Sequence, residues 1–215
     1  MTAPSLPPLC DLLVTGTDTG VGKTYVTAAL AAACFQSGRG VAVLKAAQTG
    51  PDDDAAWIGA RVPGIVVRTA LRYEAAVAPA VAARLEGAPE PSLEPIVAAA
   101  RELRAEAGAI LVEGSGGLLV PINDRETFAD LALALDLPLA IVARPGLGTL
   151  NHTALTVEVA RARGIALAGV IVCGTSADPD VAERTNLTEL RRIAPLLAAL
   201  PWDPEGWPLH AMVPA

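Results

Sequence analysis

The sequence predicts an α/β fold, a mostly parallel β-sheet with helices on both faces, formed as a single domain over residues 1–215. Three observations carry that expectation. Short apolar runs alternate with helix-period stretches along the chain. The composition is 52% hydrophobic but only 3% aromatic, so alanine, valine and leucine must do the packing, as helices laid closely on a parallel sheet require. No linker-like segment divides the 215 residues, a length that suits one such domain.

The elements follow in order. Leu12-Leu13-Val14 reads as a short buried strand and residues 25–36 as an amphipathic helix. Residues 41–44 form a second strand that ends at Lys45. Asp52-Asp53-Asp54 precedes a helical stretch, where a carboxylate can cap backbone N–H groups. Residues 79–86 read as a short helix, and residues 92–107 as a longer one with Ser92 as N-cap and Gly108 just past its end. Residues 109–112 are a third strand, stopping at Glu113-Gly114-Ser115-Gly116-Gly117. Residues 127–135 follow as a helix, 138–143 as a strand, 149–163 as a helix closed by Gly164, and 168–173 as a strand. Residues 176–180 are a loop, and Asn186-Leu187-Thr188-Glu189 has the form of a capping box opening a late helix.

Between the first strand and its helix lies Gly16-Thr17-Asp18-Thr19-Gly20-Val21-Gly22-Lys23-Thr24. Strand, glycine-rich turn and Gly-Lys-Thr at a helix start is the layout of a phosphate-binding loop, so the fold expected is P-loop NTPase-like. Backbone N–H groups of Gly20, Val21 and Gly22 would converge on phosphate oxygens, and the helix N-terminus adds partial positive charge. Lys23 would reach the β- and γ-phosphates and the Thr24 hydroxyl would sit on Mg²⁺. Gly16 leaves five residues before Gly22-Lys23-Thr24 where the usual pattern leaves four. The alternative at this point is an ordinary strand-to-helix turn.

In a parallel sheet, ligands bind beyond the carboxyl ends of the strands. Two further polar features fall there. Lys45 begins Lys45-Ala46-Ala47-Gln48-Thr49-Gly50 and would place a second cation beside transferred phosphoryl or acceptor charge. Glu113 ends an apolar strand, as the metal-linked acid of P-loop proteins often does, and the small residues after it clear room for a ligand. Thr24, Glu113 and one of Asp52, Asp53 and Asp54 make a plausible oxygen shell for Mg²⁺. The alternatives are a solvated strand tip for Lys45, a surface carboxylate for Glu113 and helix capping for the aspartates. Arg144-Pro145-Gly146-Leu147-Gly148-Thr149-Leu150-Asn151-His152 runs from a strand into a helix, and its N–H groups could hold a carboxylate. A capped helix with no ligand fits the same residues.

Composition bounds the partners. A net charge of −7 argues against a nucleic-acid partner, because no basic stripe could neutralise a phosphate backbone. The longest apolar run, residues 131–143, is interrupted by Asp136 and Pro138 and is too short to span a bilayer. Residues 1–9 have no signal-peptide pattern, so a cytoplasmic protein is expected. Cys10, Cys34 and Cys173 lack metal or redox spacing and read as buried small hydrophobes in a reducing compartment. His152 has no nucleophile or second ligand at an interpretable position, and His210 carries no signal.

The glycine-rich loop from Gly16 to Thr24, the Lys45 to Gly50 segment, Val112-Glu113-Gly114-Ser115-Gly116-Gly117 and the stretch from Gly146 to Thr153 together resemble dethiobiotin synthetase of biotin biosynthesis. The order and spacing agree from about Leu12 to Pro204, and the longer loop is itself a feature of that family. The resemblance implies joining of CO₂ to 7,8-diaminononanoate at the expense of ATP, with closure of a cyclic urea through a carbamate and a carbamic–phosphoric anhydride. By the same resemblance Lys45 and Lys23 are the catalytic lysines, and Thr24, Asp54 and Glu113 are the magnesium positions. Gly20, Val21, Gly22, Lys23, Thr24 and Tyr25 surround the nucleotide, joined by Asp54, Glu113, Gly114, Ser115, Gly116, Cys173, Gly174, Pro201, Trp202 and Asp203. Thr19 and Thr49 contact the diamine, and Gly148, Thr149, Leu150 and Asn151 contact its tail across a homodimer.

Three departures from the family pattern stand out. Ala46 replaces a proline, which should loosen the chain around Lys45 slightly. Cys173-Gly174 replaces an asparagine that reads the adenine edge, and neither residue offers a paired donor and acceptor. Relaxed base preference follows, with other nucleoside triphosphates serving within about tenfold to a hundredfold of ATP. The tail after Pro201-Trp202-Asp203 is short and proline-bounded, so a closing helix is expected to be truncated or absent. The rival function is a nucleotide-switched partition- or maturation-type ATPase, which usually carries an extra lysine early in the loop; Thr17, Asp18 and Thr19 supply none. A cobyrinate-type amide ligase needs a glutamine-hydrolysing domain for which this chain is too short.

Overall fold

Residues 9–202 are described by a computed structural model. Strands and helices alternate as β1 (Leu12–Gly16), α1 (Lys23–Gln36), β2 (Ala42–Thr49), α2 (Asp54–Arg61), β3 (Val66–Tyr73), α3 (Pro79–Glu86), α4 (Leu93–Ala107), β4 (Ile110–Gly117), α5 (Phe128–Leu135), β5 (Leu139–Ala143), α6 (Thr149–Ala162), β6 (Leu167–Thr175), α7 (Val181–Ile193) and β7 (Leu196–Pro201). The strands form one sheet in the order β3-β2-β4-β1-β5-β6-β7, and every neighbouring pair is parallel. The mostly parallel sheet expected from sequence is thus entirely parallel among the described residues.

Each strand's character follows from its place. β1 and β5 lie inside the sheet with both faces covered, so every residue of each is buried and each reads as an unbroken apolar run. Two hydrophobic cores sandwich the sheet. One is built by α1 and Ile58 of α2, the other by α4, α5, α6 and Leu190 of α7. Alanines in α1 (Ala28, Ala29, Ala31 and Ala32) are at most 1% exposed and let the helix lie close on the strands. The edge strands β3 and β7 are absent from the sequence reading. β3 carries Arg68 and Arg72 at partly exposed positions, so its apolar run stops at Ile65-Val66-Val67.

Helix boundaries are set by local chemistry. Asp53 caps α2 by accepting from Ala56 N at 2.9 Å, as a carboxylate of the acidic cluster was expected to do. Thr127 and Asp130 form a reciprocal capping box at the start of α5. Gly108 closes α4 in the left-handed conformation, whereas Ser92, although at the N-cap, makes no side-chain cap. The late helix corrects the sequence reading. α7 begins at Val181 with Asp180 as its cap, accepting from Glu183 N at 2.8 Å, and Asn186 lies in its middle. A capping-box sequence inside a helix cannot cap it, because the N–H groups at that point already have intrahelical acceptors.

The cysteines bring a second correction. Cys10 and Cys34 are disulfide-bonded, joining the lead into β1 to the end of α1, so only Cys173 is a buried free thiol. No helix among the described residues is long and apolar enough to cross a membrane.

Candidate active site

The glycine-rich loop connects β1, in the middle of the sheet, to α1. Gly22 must be glycine for two reasons. Its φ of 93° is left-handed, and a Cβ there would meet Cys173 Sγ at 2.5 Å. Cys173 therefore supports the loop from beneath and is itself only 4% exposed, with burial pushing its thiol pKa up to about 12. Lys23 Nζ turns back to donate to Asp18 O at 3.1 Å. Burial lowers the Lys23 pKa to about 8, with Glu113 the largest influence in the opposite direction.

Beside the loop, strand register builds a charge cluster. Glu113 in β4 pairs in register with Val14 of β1 on one side and Lys45 of β2 on the other. Lys45 Nζ lies 2.6 Å from Glu113 Oε1 and 2.5 Å from Asp54 Oδ2, and also reaches Gly114 O at 3.5 Å. Burial works against the Lys45 charge, but the Glu113 and Asp54 carboxylates outweigh it and hold the pKa above the ordinary lysine value. Thr24 Oγ1 donates to Glu113 Oε1 at 3.0 Å. The residue pattern alone left the three aspartates open and the family resemblance favoured Asp54; the fold separates them. Asp53 caps α2 and pairs with Arg72 at 3.2 Å, while Asp54 turns inward to Lys45.

Thr24, Asp54 and Glu113 fit the demands of Mg²⁺. They supply hard oxygen donors, Thr24 in contact with Glu113 and Asp54 joined to Glu113 through the Lys45 ammonium, and Glu113 Oε2 is buried with no hydrogen-bond partner. No group of three or more His, Cys, Asp or Glu side chains gathers as a metal cage among the described residues. A magnesium shell here would draw its remaining oxygens from phosphate and water.

Thr19, Lys23, Thr24, Lys45, Thr49, Asp54, Ser115 and Gly116 line one cavity of about 430 Å³. Ser115 also donates its hydroxyl to Ala47 O, tying β4 to β2 where they diverge. The cavity wall includes residues that sequence reasoning missed. Gln48, 3% exposed, accepts from Asp54 N at 3.2 Å and so sets the start of α2. Ala76, Val77, Ala78, Pro79 and Val120 make an apolar side. Gln48 lay within a quoted motif, but nothing local marks residues 76–79, which reach the site only through β3.

Other expected positions lie outside this cavity. Gly20, Val21 and Gly22 form the loop backbone beyond its wall. Tyr25 is buried, its ring centroid 5.2 Å from that of Trp202 and 6.4 Å from that of Trp57. Gly174 and Pro201 lie at the ends of β6 and β7, beside the loop-supporting Cys173. Gly148, Thr149, Leu150 and Asn151 start α6 and do not line the cavity of their own chain. Ala46 is fully buried inside β2, whose pairing with β3 continues to Thr49 and Tyr73. Asp203, His210 and the tail lie outside the described residues.

A glycine-rich loop on the central strand of a parallel sheet, with a lysine–carboxylate cluster at its shoulder, defines a P-loop nucleotide-binding protein of the NTPase class. Solved structures agree on the fold. The cell division ATPase MinD of Pyrococcus furiosus superposes with a TM-score of 0.58 at 18% identity, over 94% of this chain and 89% of that one. FtsY from Physcomitrella patens gives a TM-score of 0.55 at 21% identity, over 100% of this chain and 68% of that one. A family model described as an AAA domain matches residues 11–206. The ATP-dependent dethiobiotin synthetase BioD of Anaeromyxobacter dehalogenans is 48% identical over 203 residues, covering 90% of this chain and 91% of the relative. That of Saccharopolyspora erythraea is 52% identical over 197 residues, covering 88% and 86%. The chain belongs to the ATP-dependent dethiobiotin synthetase family, and is an enzyme of the ligase class.

Proposed function

We propose that the chain converts 7,8-diaminononanoate, CO₂ and ATP into dethiobiotin, ADP and phosphate. The observation that carries this reading is that Lys45, Asp54, Lys23 and Thr24 line one cavity, with the Lys45 ammonium held between Asp54 and the buried Glu113 behind the cavity wall. One substrate amine captures CO₂ and loses a proton, giving a carbamate. A carbamate oxygen attacks the γ-phosphorus, the bond to ADP breaks, and a carbamic–phosphoric anhydride forms. The second amine attacks the carbonyl carbon and loses a proton, the bond from that carbon to the phosphate oxygen breaks, phosphate leaves, and the five-membered ring closes.

Phosphoryl transfer of this kind is loose and dominated by charge, so the chain's task is positioning and neutralisation. Lys23 holds the β- and γ-phosphates against the loop amides. Lys45 neutralises the carbamate and the transferring phosphoryl group, while Thr49 and Thr19 orient the diamine. Thr24, Asp54 and Glu113 would hold Mg²⁺, which would supply further positive charge at the phosphates. Ser115, Gly114 and Gly116 border the phosphates, Tyr25 supports the loop, and Cys173, Gly174, Pro201 and Trp202 frame the base. The apolar side formed by Ala76, Val77 and Val120 suits the hydrocarbon part of the diamine.

The helix start formed by Gly148, Thr149, Leu150 and Asn151 takes the substrate carboxylate from the neighbouring subunit of a homodimer. Exposed Leu119 and Leu155 on the rim of an apolar groove of about 390 Å³ support a paired face. The enzyme works in the cytoplasm, on small molecules, without a nucleic-acid or membrane partner.

The test is phosphate release from MgATP and bicarbonate with and without 7,8-diaminononanoate, followed by mass detection of product. Release that needs both diamine and CO₂, with dethiobiotin in step, is expected. Release indifferent to the diamine overturns the reading in favour of a switch-type ATPase.

A further inference from the structure

Asn186 sits in the middle of α7, where asparagine is a poorer helix former than leucine or alanine, and it is only 6% exposed. A buried amide in such a place needs partners, and its partners are specific. Nδ2 donates to Pro145 O at 2.9 Å and to Gly146 O at 3.2 Å. Both carbonyls belong to the turn that leads from β5 into α6. Each peptide unit is planar and trans, so its N–H points opposite to its C=O. Drawing these two oxygens toward α7 turns the N–H groups of Gly146 and Leu147 away from it. Gly146 O also accepts from Thr149 N at 3.3 Å, which closes the turn onto the first residue of α6.

What the turn delivers is a helix start left open to an anion. α6 begins at left-handed Gly148 with no side-chain cap and no acidic residue in its first turn. The Thr149 hydroxyl is fully buried and has no hydrogen-bond partner. The Arg144 guanidinium lies nearby, 3.3 Å from His152 Nδ1. A neutral amide donor is the side chain that can hold two carbonyl oxygens without adding charge. A carboxylate in its place would repel both oxygens, and a hydrocarbon would leave them unsatisfied.

We propose that Asn186 is a positioning residue for substrate recognition, holding the Pro145–Gly148 turn so that its N–H groups and Thr149 receive the carboxylate end of the diamine. This rests on the reading that the turn takes that carboxylate. No part of Asn186 touches substrate; it acts through the turn.

The experiment compares 7,8-diaminononanoate with its methyl ester, which keeps both amines and loses the negative charge, in the full-length enzyme and its Asn186→Asp and Asn186→Ser variants. The wild type is expected to prefer the acid strongly in kcat/KM. In both variants KM for the acid should rise about tenfold to thirtyfold while kcat stays within about threefold. KM for MgATP and kcat/KM for the ester should hold, so that the preference for acid over ester shrinks by the same factor. The ester reaction reports whether each variant is folded, and the smaller, neutral Asn186→Ser serves if the aspartate variant does not fold. An acid-to-ester preference unchanged in the variants, or an equal loss with both substrates, overturns the role of Asn186. A wild type that does not distinguish acid from ester overturns instead the assignment of the carboxylate to this turn.

Discussion

Replacing Lys45 separates two consequences of the buried cluster. Glu113 is fully buried, and its charge is matched by Lys45 at 2.6 Å. Lys45→Met leaves that carboxylate with the Thr24 hydroxyl at 3.0 Å as its hydrogen-bond donor and the Lys23 charge farther off. Removing one partner of a buried pair costs about 3–5 kcal/mol, because the other charge is left uncompensated. Asp54 is 23% exposed and can turn to water, so the penalty comes from Glu113 alone. With Thr24 still donating, the lower end, about 3 kcal/mol, is expected. In a chain of this size that lowers Tm by roughly 6–12 °C. Neutralising the orphan in Lys45→Met/Glu113→Gln should restore more than half of the loss, a coupling that a thermal double-mutant cycle reads directly. Catalysis is probed by Lys45→Gln, which keeps a donor to Glu113 but no charge. Turnover should fall by about 10²–10³, with ATP affinity nearly unchanged by calorimetry. Turnover within fivefold of wild type would refute the catalytic role, and additive thermal losses in the double mutant would refute the pairing argument.

Three further outcomes are expected. Lys23 titrates at about 8 in the free enzyme, and phosphate charge favours its protonated form, so nucleotide binding above pH 8 must take up a proton. At pH 8.5 calorimetry in buffers of different ionisation enthalpy should show uptake of about three-quarters of a proton, with affinity falling as pH rises; zero uptake contradicts the assignment. The Cys10–Cys34 bridge spans 24 positions, and its reduction should cost about 3 kcal/mol of stability on the loop-entropy view. Thiol titration of the unreduced, unfolded chain should then find Cys173 alone reactive, and three reactive thiols would rule the bridge out. Because Cys173 is buried against Gly22 and presents no donor–acceptor pair, kcat/KM for ATP should exceed that for CTP by only about tenfold to a hundredfold. A ratio of several thousand would mean that another residue reads the base.

Much of the site was legible because its parts sit in short, chemically constrained motifs. The loop from Gly16 to Thr24 is read from its layout, a strand, a glycine-rich turn and Gly-Lys-Thr at a helix start, although its spacing is one residue longer than the usual pattern. Lys45 and Glu113 were each visible as charges ending an apolar run, but β2 and β4 continue past them to Thr49 and Gly117. The strands run on because pairing with β3 and β1 continues past the charges, through alanine and glycine residues too weakly apolar to signal a strand. Asn186 misled for a physical reason. Its local sequence satisfies a capping pattern, and only its burial against the Pro145 turn shows that the amide serves tertiary contact.

By itself the sequence determined the α/β alternation, the phosphate-binding loop and the starts of the central strands, because strands buried on both faces are mainly apolar and a phosphate loop must be glycine-rich. The tertiary structure decided which distant residues meet. It set Lys45 beside Glu113 through strand register, chose Asp54 over its two neighbours through the start of α2, and brought Cys10 to Cys34 across α1. It also added the edge strands β3 and β7, whose half-exposed residues carry no clear period. Local pattern records what each segment must bury. Which segments then lie side by side depends on the order of strands in the sheet, and no short window of sequence contains that order.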